Sequence, residues 1–198
     1  MTVSESRRRT PARRGEGERL RHEILDAAIA LIADRGDEGV SMRAIARTVG
    51  VTPPAVYLHF ADKRELMLAV LEHVFADLGR ALERADTGAG RERVRALVRA
   101  YVGWGVAHPG RYKIGYEGAI ARELEPDSER PFGRPHLERL TTAVAAIRPD
   151  DALSTATRLW ACAHGVVSLR LNKPHAPFGD PIEDAMALTD ALLRDEPE

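Results

Sequence analysis

Between Ser41 and Leu66 the side chains able to do chemistry are cations and hydroxyls, and acids nearly vanish. Arg43, Arg47, Lys63 and Arg64 face one acid, Asp62, across residues 41–64. A local basic footprint of this kind suits phosphate and base edges, and specific groove binding needs only such a footprint, not a basic protein. A second group is aromatic and polar: Tyr101, Trp104, His108, Tyr112 and Tyr116. Tyr101, Trp104 and His108 follow a spacing of three and four residues, which puts them on one helix face. Such a face is either plain core or the wall of a cavity, since ligand sites combine apolar rings with a few polar anchors. A third pair, Trp160 and His164, is four residues apart and is followed by Gly165. Nothing resembles catalytic machinery: HExxH, a paired-cysteine metal motif, a GxSxG elbow and a P-loop are all missing. The seven histidines have no metal-site spacing. We therefore expect a binding protein without enzymatic activity, metal or cofactor.

The elements that must position the basic set can be read locally. Ser41 is a good N-cap, and Met42, Ile45, Ala46 and Val49 then recur at helical spacing. Gly50 falls where the chain must reverse, at a position that favours left-handed backbone. Thr52 is suited to cap a second helix, with Pro53 and Pro54 inside its tolerant first turn. Val56 and Phe60 form that helix's buried stripe, over about 53–60. Asp62 and Glu65 suit a capping box that opens a longer helix at Lys63. Helix, tight turn, helix is the layout that lays one helix across a DNA backbone and the next in a major groove.

This segment resembles the DNA-binding region of the TetR (tetracycline-repressor) family of bacterial transcriptional regulators. The resemblance runs from about Leu20 to about Val70. It rests on the helix LRHEILDAAIALIADRG, the Ala46 to Gly50 stretch, and Val56-Tyr57-x-His59-Phe60 followed by Lys63 and Leu66. Trp160-x-x-x-His164-Gly165 is similar to a Trp-His-Gly pattern in the C-terminal domain of one branch of that family. The resemblance implies that Arg43 reaches a base edge or nearby phosphate and that Tyr57, His59 and Lys63 hold the backbone. Ser41, Thr52, Pro53, Pro54 and Ala55 complete the expected DNA surface. Two prolines and an alanine have no side-chain hydrogen bonds to give, so specificity should lean on Arg43, thymine methyls and DNA deformability. Tyr57 and His59 have the alternative role of packing the small domain. The resemblance further implies a cavity for a small molecule, with Tyr101, Trp104, His108, Tyr116, Trp160 and His164 as its candidate lining. Core and dimer packing is the competing role for Trp160 and His164, and a small filler is the ordinary role for Cys162.

Fold and organisation follow. The expected architecture is all-α: a flexible arm (1–19), a three-helix helix-turn-helix domain (20–66), and a helical ligand-binding and dimerisation domain (67–198). Helices are expected at about 20–35, 41–49, 53–60, 63–84, 91–107, 112–124, 136–147, 151–172 and 181–193, with a proline-rich loop from Glu125 to His136. In the arm, Arg7, Arg8, Arg9, Arg13 and Arg14 are either a solvated tail or a reach into a minor groove. Residues 1–65 carry 12 Lys or Arg against 10 Asp or Glu, whereas residues 66–198 carry 17 against 20, so the basic character is local. Of the 29 basic residues only three are lysines, a bias that a GC-rich genome explains as well as phosphate binding does. No apolar run approaches the ~20 residues of a membrane span, and the N-terminus has no apolar core like a secretory signal's. One cysteine fits a reducing cytoplasm. The expected partners are a palindromic double-stranded operator, a second copy of the chain, and a small apolar or aromatic effector. A repressor released by that effector is the leading expectation. An activator, a ligand-independent regulator, or a helical small-molecule-binding protein without operator function are the alternatives. Glu117 and Glu123 either attract a cation or face water.

Overall fold

The computed structural model describes residues 16–36, 39–118 and 132–194, and among them every regular element is helical. Arg7, Arg8, Arg9, Arg13 and Arg14 of the expected arm, Glu123 and most of the proline-rich stretch lie outside the described residues. Helix α1 spans Glu16–Arg35 and so begins four residues ahead of the expected Leu20. Glu16 and Glu18 sit in its first turn, where carboxylates oppose the helix dipole, and Arg19 pairs with Glu23 one turn on at 3.1 Å. Gly36, at a φ of 73°, ends it.

Three short steps follow. Helix α2 is Met42–Val49, α3 is Pro53–Tyr57, and the 23-residue α4 is Lys63–Ala85. Ile24, Ile45, Val56, Phe60 and Leu66 are each no more than 1% exposed and form the small core that α1, α2, α3 and the start of α4 enclose. At about 1.5 Å per residue α4 is about 35 Å long, enough to pass from this core into the next. Leu78 and Leu82 carry its buried ridge onward.

The second core is built around α5 (Gly90–Ala107), which packs on α4 and on every helix that follows. Helix α6 is Pro109–Tyr116, starting earlier than expected because Pro109 fits the first helical position. Helix α7 is Arg134–Ala145, α8 is Ala152–Asn172 behind a 3-10 turn at Pro149–Asp151, and α9 is Pro181–Leu192. The strong start expected for α9 is present: Asp180 Oδ1 accepts from the amides of Ile182 at 2.8 Å and Glu183 at 3.0 Å. Helix α6 touches the first core directly. A Cβ on Gly110 would lie 2.8 Å from the Cβ of Ala33 in α1, so the two helices are in close contact there. No helix among the described residues is long and apolar enough to cross a membrane.

Candidate functional site

Backbone chemistry holds α2 and α3 at a tight turn. Ser41 is extended (φ −129°) and its Oγ accepts from Ala44 N at 3.2 Å. Gly50 adopts φ 78°, and Val51 N returns to Ala46 O at 2.9 Å, closing the end of α2. Thr52 occupies the N-cap position of α3 but makes no capping hydrogen bond with its side chain; Ala55 N bonds its carbonyl instead, at 2.9 Å. Regular helix ends at Tyr57 rather than at residue 60, although Phe60 N still reaches Val56 O at 3.1 Å. Asp62 Oδ1 accepts from Glu65 N at 2.8 Å, and Glu65 reaches back to Ala61 N at 2.6 Å, one residue beyond the usual capping-box partner. Both acids of this stretch are thus turned onto backbone amides.

Ser41, Arg43, Thr52, Pro54, Tyr57 and Lys63 are exposed, and Pro53, Ala55 and His59 are half-buried. Arg47 and Arg64 are exposed as well, so the four cations meet solvent. His59 packs near the start of α1, where a Cβ on Gly17 would come within 3.9 Å of its ring. Leu58, which the motif reading passed over, is 82% exposed beside a half-exposed Tyr57. A large apolar side chain left in water at the end of α3 is a signal that only three-dimensional burial provides.

The second core contains a cavity of about 430 Å³ bounded by α4, α5, α6, α7 and α8. Tyr101, Tyr116, Trp160 and His164 line it, bringing together four of the six candidate residues. Trp104 and His108 do not line it. Trp104 lies 60° around α5 from Tyr101, and its Nε1 donates to Asp77 Oδ2 on α4 at 3.0 Å. His108 closes the end of α5 with Nδ1 3.0 Å from Trp104 O. Helix α7 contributes His136, Leu137, Arg139 and Leu140, none of which the motif reading singled out.

One wall is a cluster of rings: Tyr101, Tyr112, Tyr116 and His164 pack at centroid separations of 5.0–6.3 Å. The Tyr112 hydroxyl lies 2.6 Å from His164 Nδ1 and 3.2 Å from the His164 carbonyl oxygen. Burial pushes the Tyr112 and Tyr101 hydroxyls well above the ordinary tyrosine pKa, so both stay protonated. Burial also lowers the pKa of His164, against the opposing pull of Glu117. Glu117 itself does not line the cavity; it accepts from Ser168 Oγ at 2.7 Å and from Asn172 Nδ2 at 2.9 and 3.0 Å. The expectation that it either draws in a cation or merely faces water is thereby corrected, because its oxygens are engaged by α8.

Three half-buried histidines give a stability signature. Burial lowers the pKa of His164, of His136 and of His73 below the ordinary 6.5. The unfolded chain then binds more protons than the folded one as pH falls through 6.5, so stability must fall in the same direction. The melting temperature should be level above the histidine range and decline steadily below pH 6.5. Asp86, held down by hydrogen bonds from Arg93 and Arg139, and Asp77 should add a second decline below 3.8. At Asp77 burial works upward, but Trp104, Arg111 and Arg80 outweigh it. Calorimetric scans across this range check both steps; a melting temperature unchanged between pH 7 and 5 contradicts the first.

A basic two-helix reader joined by one long helix to a hollow helical bundle defines a helix-turn-helix transcriptional regulator. The comparisons agree with that class. Residues 24–70 match the family of bacterial regulatory proteins described as tetR, and residues 94–195 match a tetracyclin repressor-like C-terminal domain. The chain belongs to the TetR family of DNA-binding transcriptional regulators. It is 34% identical over 116 residues to the HTH-type transcriptional regulator Rv1816 of Mycobacterium tuberculosis, a match covering 57% of this chain and 50% of that protein. The chain thus spans about half the length of such curated relatives. Among solved structures, that of SCO4313 is 26% identical with a TM-score of 0.76, over 93% of this chain and 99% of that one. The SmeT–triclosan complex shares the fold at 24% identity and a TM-score of 0.67, over 87% of this chain and 89% of that one. The family and Rv1816 are transcriptional regulators, not enzymes.

Proposed function

We propose that this regulator is a repressor that binds a palindromic operator as a homodimer and releases it when a small apolar or aromatic molecule enters the cavity. One observation carries the reading: α4 and α6 bound the cavity and also pack on α1 of the helix-turn-helix core. A ligand filling the space therefore presses on helices that orient the DNA reader. It acts by binding more tightly to the arrangement that does not fit DNA. The cavity volume of about 430 Å³ is within the ordinary range for small-molecule sites. SmeT, of the same fold, is known as a complex with triclosan. In this reading Ser41, Arg43, Thr52, Pro53, Pro54, Ala55, Tyr57, His59 and Lys63 contact DNA, residues 20–66 are the DNA-binding domain, and residues 67–198 bind ligand and dimerise. Leu153, Leu169 and Leu188 remain exposed on α8 and α9 and supply an apolar face for the second copy. The site of action is the cytoplasm, where the operator is.

Binding of the purified protein to the DNA flanking its own gene, titrated at two salt concentrations, tests the reading. A single short palindrome should be bound at least ~10³-fold more tightly than bulk DNA, with affinity falling steeply as salt rises. Weak, equal binding across a genome-wide library would remove the operator from the reading.

A further inference from the structure

Among the described residues, the ionised side chains that line the cavity are all cations. Its ionised lining consists of Arg134 and Arg139; His136 and His164, whose pKa burial lowers, and Tyr101, which burial keeps protonated, stand beside them, and among the described residues no Asp or Glu lines it. A carboxylate behind that wall is oversubscribed. Asp86 accepts from Arg139 Nη1 at 2.6 Å and from Arg93 Nε and Nη2 at 2.6 and 3.2 Å. One negative charge between two guanidiniums leaves a positive charge uncompensated at the cavity. Arg134, also on the lining, is exposed to solvent and makes no ion pair among the described residues. Glu117, whose charge reaches His164, has its carboxylate engaged by Ser168 and Asn172 and does not line the cavity. A cleft with apolar walls and charges of one sign focuses their field on whatever enters it.

The rest of the lining sets the body of the ligand. Phe75, Leu97, Leu137, Leu140 and Leu159 make the space apolar. Its volume of about 430 Å³ is roughly three times the ~150 Å³ that accepts a benzene ring. We infer that the effector is an organic acid: an apolar body of two or three rings, or an acyl group of that bulk, whose carboxylate is held by the Arg134 and Arg139 guanidiniums. This rests on the cavity being the effector site. It adds the charge of the ligand, and it excludes the cationic molecules that an acid-lined cavity would select. The acid end also explains why Arg139 is tethered: Asp86 holds its guanidinium at the wall, so less freedom is lost when a carboxylate binds.

Three probes of one shape separate charge from shape: 2-naphthoate, 2-naphthylmethanol and 2-naphthylmethylammonium. Calorimetric titration of the full chain should give 2-naphthoate about tenfold tighter binding than the alcohol, and the alcohol tighter than the ammonium. Arg139→Gln, with Arg93 still on Asp86, should remove most of that preference, and Arg134→Glu should favour the ammonium. Leu140→Trp, which fills the space, should abolish binding of all three while helical circular dichroism persists. Alcohol binding that Leu140→Trp removes, with no preference for the acid, would overturn the inference and leave the effector cavity standing. So would a preference for naphthoate that survives Arg134→Gln and Arg139→Gln together. If no probe binds up to millimolar concentration, both the inference and the effector cavity fall.

Discussion

Arg43→Ala is expected to weaken operator binding by about 2–6 kcal/mol per dimer while leaving binding to bulk DNA almost unchanged. The reason lies in what α3 lacks. Its exposed end presents Pro53, Pro54 and Ala55, which have no side-chain donor for a base edge, and the Thr52 hydroxyl is a single polar group. In the proposed reading, hydrogen-bonded readout therefore falls on the neighbouring helix, where Arg43 is exposed as the second residue after the Ser41 cap. An arginine that grips guanine through both arms discriminates by about 1–3 kcal/mol, and the proposed dimer would present it twice. Lys63→Ala is the informative contrast. A phosphate contact carries no sequence information, so its loss should weaken all DNA alike and reduce the salt slope by about one per subunit. Anisotropy titrations of both variants on operator and on scrambled duplex read the difference. Equal losses for Arg43→Ala on the two duplexes would remove base readout from Arg43 and make it a backbone contact.

The DNA reader was legible in the sequence because each of its parts is local. A cap at Ser41, a reversal at Gly50, prolines at the start of α3 and the Asp62–Glu65 pair are decided by neighbours within five residues, and short-range hydrogen bonds confirm most of them. Thr52 is the exception, since its carbonyl takes the bond its hydroxyl was expected to take. The cavity was legible only by halves. Helical spacing groups Tyr101, Trp104 and His108, but it cannot say which neighbour each meets, and the α4–α5 contact draws the indole of Trp104 to Asp77. The basic wall on α7 was invisible, because Arg134 and Arg139 read as ordinary surface cations until a cavity is seen beside them. Asp86 shows the same limit: its two partners are seven and 53 residues away in the chain. Helix starts differ from those that apolar spacing gives at Glu16, where two glutamates occupy the first turn, and at Pro109, where a proline takes the first helical position.

The two glycines that flank the ring cluster should respond in opposite ways to substitution. Gly105 is buried where α5 crosses α6 and α8, and a Cβ there would lie 2.8 Å from Val167 Cγ1 and 3.0 Å from Tyr112 Cδ2. Neither neighbour yields easily. Val167 is fully buried and β-branched, and the Tyr112 ring is pinned through its hydroxyl to His164. Gly105→Val should therefore force the helices apart at a cost of about 1–3 kcal/mol or more, beyond any gain in helix propensity. For a chain of this size that lowers the melting temperature by roughly 3–10 °C. Loosening the Tyr112–His164 bond should also weaken ligand binding, since the cavity wall hangs on it. Gly165, one residue beyond His164, has nothing among the described residues within 4 Å of its Cβ position, so no described helix approaches it closely. Gly165→Ala should raise the stability of the isolated fold by up to about 1 kcal/mol through helix propensity. If α8 pairs with its copy in the dimer, the same methyl group meets the partner instead, and sedimentation equilibrium should show weaker association. A melting temperature for Gly105→Val equal to that of the parent would mean that α5 and α8 can separate without loss, and that the ring cluster is not held by their contact.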